Sequence, residues 1–210
     1  MSKTIITINR ECGSGGREIA RQIGEILGLK VYDKAIIEAI CEKFNLDEEE
    51  ILRIKSKKIN LWDDLCQFYR QFGATAGSYQ PESKNITSRE LYAAESQLMR
   101  NLASQESCII VGRAGFHVFK DDPDALHLFI IADRDVRIKK VAERYGFDEN
   151  AAAKYIDETD NARENFTKYF TGVSRYDARN YDFVINVSQF TPEAIAAVLA
   201  ENIKKRMNMK

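Results

Sequence analysis

Proline is scarce in this chain, with 3 residues in 210, and histidine scarcer, with 2. Four widely spaced cysteines, Cys12, Cys41, Cys66 and Cys108, form no C-x-x-C pair and have no histidine cluster beside them. That argues against an ordinary structural zinc site and reads as reduced thiols. No apolar run approaches the roughly 20 residues of a membrane span. The chain enters a strand-like run at Ile5 and Ile6 with no secretory leader before it. Neither sign of charge is in excess: 31 Lys and Arg against 32 Asp and Glu leave a formal net charge of -1. Such a balance argues against a partner that is a nucleic acid polymer, while allowing a local basic pocket. The expectation is a soluble cytoplasmic protein with no membrane attachment. Its 210 residues suit one domain, 1–210, able to bury a core without disulfides.

Short apolar runs at 4–8, 108–111, 126–131 and 183–187, with a weaker one at 30–32, are hydrophobic almost continuously. This is the pattern of parallel strands buried on both faces. Helical periodicity separates them, at 34–44, 47–57, 88–105, 134–145, 149–169 and 192–206. In the first helix, Ile19, Ile23, Ile26 and Leu27 make one apolar face. Alternating strands and helices predict a three-layer α/β/α domain with a parallel sheet of about five strands. Residues 59–86 break the rhythm. An aromatic helical stretch with Trp62, Phe68, Tyr69 and Phe72 is followed by the loop-like GATAGSYQPESKN. The segment reads equally as a substrate cap or as a helical hairpin packed on the core or on a second subunit, which leaves a homodimer open.

The first strand runs directly into ECGSGGRE and then into a helix. In that order, several backbone N–H groups and the positive end of a helix dipole converge on one spot. Gly13, Gly15 and Gly16 let the chain turn tightly and let an anion approach the backbone. A plain strand-to-helix turn is the alternative.

The wider context narrows the reading. ITINRECGSGGREIARQIGEILGLKVYD, CIIVGRAGFHVF and NYDFVINVS resemble, in that order, three segments of the cytidylate-kinase-like P-loop kinases. RECGSGGRE is similar to the loop of one branch of that family. The resemblance implies a P-loop nucleoside monophosphate kinase fold, with ATP and Mg2+ over the loop, a nucleotide acceptor opposite, and a mobile lid at about 146–180. The donor phosphates then fall to Gly13, Ser14, Gly15, Gly16, Arg17 and Glu18. Phosphoryl transfer needs chiefly positioning and charge neutralisation, so arginines are the residues to look for.

Departures from the family pattern bear on the chemistry. Aligned without gaps, Gly16 occupies the place of the loop lysine, Glu18 that of the hydroxyl residue, and Arg10 that of the first glycine. Arg17, one position on, is the candidate substitute for the lysine, because a guanidinium grips phosphate oxygens bidentately. Its duller reading is a solvated first-turn arginine. Val111 stands where an aspartate precedes Gly-Arg, while Gly112 and Arg113 remain. Arg113, at the end of a buried strand, is the candidate for the acceptor phosphate. The acceptor motif becomes DKAIIEA, keeping Asp33 and placing Lys34 at the serine position. In the lid region, Asp160 and Arg163 are helical neighbours that read either as a lid pair or as a surface salt bridge. Lys168 is a further lid candidate. The run DRDVRIKKVAERYG carries Arg134, Arg137, Lys139, Lys140 and Arg144, and its lysines read as a solvated helix face. No dedicated metal ligand is evident. His117 and His127 have no partners in sequence that would make them ligands or bases.

The expected function is ATP-dependent phosphoryl transfer to a nucleoside monophosphate, CMP or dCMP, with Arg17, Arg113 and Arg163 as catalytic candidates. A kinase for another small acceptor, or a non-catalytic nucleotide-binding module on the same fold, is the alternative.

Overall fold

The computed structural model describes residues 3–33 and 88–208. The chain divides into two compact units, Met1–Tyr32 with Leu102–Lys210, and Asp33–Asn101. Residues 34–87 lie outside the described residues, and with them the helices expected at 34–44 and 47–57, the 59–86 insert and Lys34.

The larger unit is built on strands β1 (Ile5–Arg10), β2 (Lys30–Asp33, whose last residue belongs to the smaller unit), β3 (Cys108–Val111), β4 (Ala125–Ile131) and β5 (Phe183–Asn186). They form one sheet in the order β2-β3-β1-β4-β5, and β1 pairs in parallel with both β3 and β4. The nearly unbroken apolar runs of β1, β3 and β4 follow from that central position, since strands covered on both faces have no solvated side to encode. The helices are α1 (Gly16–Leu27), α2 (Ser88–Gln105), α3 (Gly115–Val118), α4 (Arg134–Tyr145), α5 (Glu149–Thr171) and α6 (Pro192–Asn208).

On one face of the sheet, Ile6, Ile8, Ile109, Val111, Leu128 and Ile130 pack with Ile19, Ala20 and Ile23 of α1 and with Ile195, Ala196, Leu199 and Ile203 of α6. Residues 19, 20 and 23 share a helix face, so the apolar stripe of α1 is also its contact face. On the other face, Phe116 of α3 lies 5.2 Å from the Tyr181 ring, which stacks on Phe129 of β4 at 5.1 Å. The architecture is the expected α/β P-loop kinase fold. The sequence pattern overlooked α3 and a single 3-10 turn at Ala178–Asn180, both too short for periodicity to register.

In the smaller unit, the described residues are Asp33 and the 88–101 stretch of α2. There the Ser96 hydroxyl donates to the Tyr92 carbonyl at 2.7 Å, and the Gln97 amide donates to Asn101 at 2.9 Å. No helix among the described residues is long and apolar enough to cross a membrane.

Candidate active site

β1 delivers the chain to the glycine loop at the carboxyl edge of the sheet, where open α/β folds place ligands. Gly13 and Gly15 both adopt the left-handed backbone, each with φ of 81°. At Gly13 a side chain is excluded twice over, because a Cβ would lie 2.8 Å from the Arg137 carbonyl oxygen of α4. Gly15 is the N-cap of α1, and no side chain caps the helix there. The first-turn N–H groups of an α-helix have no acceptor within it, so this end is open to an anion. Ser14 differs from the expectation. It is fully buried, and its hydroxyl donates to the Glu11 carbonyl at 3.0 Å, bracing the turn from inside.

The loop opens into a cavity of about 290 Å³. Arg10, Arg17, Lys140, Arg144 and Arg163 line it, against the two carboxylates of Glu11 and Glu18. That excess of cations over an uncapped helix start suits a polyphosphate. Glu18 is held by Arg21 Nη2 at 2.6 Å and Gln22 Nε2 at 2.8 Å. The Arg21 hydrogen bonds keep its carboxyl below the usual range and therefore ionised. Glu11 accepts the Ala132 N–H at 3.1 Å. Among the described residues no group of three or more His, Cys, Asp or Glu could cage a metal ion. Magnesium, however, is commonly held by one or two carboxylates plus substrate phosphates, and the Glu11 and Glu18 carboxylates fit that lesser requirement.

Asp160 explains how the cavity wall is tied to the loop. Its side chain is buried, and Oδ1 accepts the Cys12 N–H of the loop at 2.9 Å. Oδ2 accepts from Arg137 Nη1 at 2.8 Å, with Arg163 Nη1 at 3.3 Å and Arg175 Nη1 at 3.6 Å from Oδ1. Asp160 and Arg163 are thus neighbours, but the surface salt-bridge alternative does not describe a carboxylate surrounded by three arginines. Arg163 Nη1 also donates to the Arg10 carbonyl at 3.2 Å. Arg175 donates to that carbonyl too, and burial lowers its pKa below the ordinary guanidinium value. Burial pushes the Cys12 thiol up, so it stays a neutral thiol. The Asn-Tyr-Asp lead-in to β5 joins the same framework. Asn9 Nδ2 donates to Tyr181 Oη at 2.7 Å, and that hydroxyl donates to the Arg175 carbonyl at 2.7 Å. Burial pushes the Tyr181 phenol up to about 12.

Arg113 sits outside this cavity. It lies in a run of three left-handed residues after β3: Gly112, Arg113 and Ala114, with φ of 83°, 51° and 51°. Consecutive non-glycine residues in that region cost free energy, and such strain gathers at functional sites. A Cβ at Gly112 would run into the Arg10 guanidinium, and the Arg113 guanidinium lies 4.4 Å from the centroid of the Phe166 ring of α5.

Of the expected site residues, the structure brings Gly13, Gly15, Gly16, Arg17, Glu18 and Arg163 to one cavity. Lys168 is elsewhere, exposed and paired with Glu164 at 3.0 Å. Asp33 ends β2. Sequence reasoning missed Lys140, read with the other lysines of its run as solvent-facing, Arg144, given no role, and the aromatic group of Tyr145, Phe147 and Tyr155. The Tyr145 ring lies 5.1 Å from Tyr155 and 5.6 Å from Phe147, and both tyrosines line the cavity. The spacing 137, 140, 144 puts those three basic residues on one helix face, and that signal was available.

A cytidylate kinase of Methanopyrus kandleri is 26% identical over 196 residues, covering 93% of this chain and 90% of the relative. One from Pyrococcus horikoshii is 26% identical over 201 residues, covering 94% and 86%. A solved structure of an uncharacterised protein from Eubacterium ventriosum shares the fold, with a TM-score of 0.71 at 21% identity over 96% of this chain and 99% of that one. Residues 5–189 match the cytidylate kinase-like family as a whole. This match spans both ends of the sheet and all of the cavity, and it supports a nucleotide kinase: the chain belongs to the cytidylate kinase-like family.

Proposed function

We propose that this protein transfers the γ-phosphoryl group of ATP to a nucleoside monophosphate, with CMP or dCMP as the acceptor. The observation that carries the reading is the cavity itself: an uncapped helix start behind two left-handed glycines, faced by five cationic side chains. In this reading the N–H groups at the start of α1 cradle the donor phosphates. Arg17 and Arg163 neutralise charge as it spreads over the transferring group. Tyr145 and Tyr155, at the α4–α5 side of the cavity, offer a stacking surface for the donor base. Arg113 grips the acceptor phosphate from the turn after β3. Magnesium would be held by the donor phosphates together with Glu11 or Glu18, directly or through water, and would supply charge neutralisation across the phosphates. The names of the Methanopyrus and Pyrococcus relatives support a pyrimidine acceptor.

The test is ADP release from magnesium ATP, measured with CMP, dCMP, UMP, AMP and no acceptor. Release that depends on CMP or dCMP is the expected result. Equal release with every acceptor and with none, from folded protein, overturns the proposal. ATP binding without any turnover would favour the non-catalytic module.

A further inference from the structure

We infer that Lys140 of α4 supplies the ammonium group that the loop itself lacks, so that the phosphate-binding lysine of this site reaches the loop from a different helix. The inference rests on the proposed donor site and names the residue that completes it. Three observations support it. Lys140 Nζ lies 3.8 Å from the point where a Cβ on Gly15 would stand, directly over the left-handed N-cap of α1. The side chain is half-buried and lines the cavity. Among the described residues, no carboxylate pairs with it.

Four nearby cations differ in this respect, whereas Arg144, which also lines the cavity, shares it and lies over the Tyr145 ring at 5.6 Å. Arg137 is spent on Asp160 at 2.8 Å, and Arg163 divides its guanidinium between Asp160 and the Arg10 carbonyl. Arg21 is bound to Glu18 and Glu25, and Arg134 to Asp157 at 2.6 Å. An ammonium left without a carboxylate above an uncapped helix start is complementary to a phosphate oxygen and to little else nearby. The position is fixed from below. Gly13 has no room for a side chain against the Arg137 backbone, so α4 is packed directly on the loop one turn before Lys140. The reach of a lysine is short enough that this contact determines where its nitrogen can go. Arg17, by contrast, begins on the exposed side of the first turn of α1, where it can meet the outer phosphate rather than the centre of the cradle.

The experiment is calorimetric binding of magnesium ATP and of adenosine to wild type, Lys140→Met, Lys140→Arg and Lys139→Met. Lys139 is exposed and does not line the cavity, so its variant is the charge-matched control. The expected result is a loss of ATP affinity of about ten- to a hundredfold in Lys140→Met, the usual range for a hydrogen bond to a charged group. Adenosine affinity should be unchanged, Lys140→Arg should recover part of the loss, and Lys139→Met should bind ATP as wild type does. Wild-type ATP binding with an equal affinity in Lys140→Met overturns the inference and leaves the donor site standing. Failure of wild type to bind ATP at all overturns both. A melting profile of Lys140→Met that matches wild type separates lost contact from lost fold.

Discussion

Replacing Asp160 by alanine should destabilise the protein severely, although the residue lies on the helix that the family resemblance assigns to a mobile lid. Asp160 is 7% exposed, and around it are Arg137, at 8%, and Arg175, at 1%. Removing the carboxylate leaves two buried guanidinium groups with less compensation and takes the acceptor from the Cys12 N–H. Breaking a buried charge pair from one side costs about 3–5 kcal/mol. In a chain of this size each kcal/mol lowers Tm by about 2–4 °C, which gives an expected fall of roughly 6–20 °C. The assay is thermal unfolding followed by circular dichroism, with urea titration as a second measure. Adding Arg137→Met should cost less than the sum of the single changes, because the second substitution removes a charge that the first left stranded. A Tm for Asp160→Ala within about 2 °C of wild type would refute the reasoning, since it would mean that solvent or another carboxylate replaces Asp160 without cost.

Gly13→Ala should lose nucleotide binding and more stability than the roughly 1–2 kcal/mol of a left-handed alanine alone, because the added methyl meets the Arg137 carbonyl; a variant that melts and binds as wild type does would contradict the packing. Arg113→Ala should raise KM for the acceptor while leaving that for ATP within about threefold, a loss of uniform binding at one substrate only. Burial holds His127 below its ordinary pKa, with its Nδ1 2.8 Å from the Thr7 hydroxyl. The unfolded chain therefore binds the proton more tightly, so stability is full above the ordinary histidine pKa and is lost as pH falls toward the depressed native value. Tm recorded between about pH 7.5 and 5.5 should fall, and less so in His127→Gln.

The sheet was legible in the sequence because both faces of β1, β3 and β4 are covered and their runs are continuously apolar. The extents of α4 and α6 were equally plain, expected at 134–145 and 192–206 and found at Arg134–Tyr145 and Pro192–Asn208. The loop was legible from its glycines and its place between strand and helix. What escaped was long-range. Nothing near Asp160 says that its carboxylate will reach back 148 residues to the Cys12 N–H; on its own helix it has only Arg163 for a partner. Lys140 was taken for a solvated lysine because the alternation of charge along DRDVRIKKVAERY suits an exposed helix. Its other side is fixed by where α4 lands on Gly13, a tertiary contact that no local pattern contains. The Ser14 hydroxyl was equally hard to place: a polar side chain in a glycine loop invites a ligand, yet here it donates to the turn's own Glu11 carbonyl.

Asp160 is the twelfth residue of the 23 in α5, so the rod is pinned to the loop at its midpoint. Tyr155 lies on one arm, in the cavity wall, and Phe166 on the other, against Arg113. Both arms are tied as well, the first by Asp157 to Arg134 at 2.6 Å and the second by Glu164 to the Ser174 hydroxyl at 2.7 Å. One helix thus carries both a side chain of the cavity wall and the ring beside Arg113, so the cavity and the strained turn after β3 share a single support.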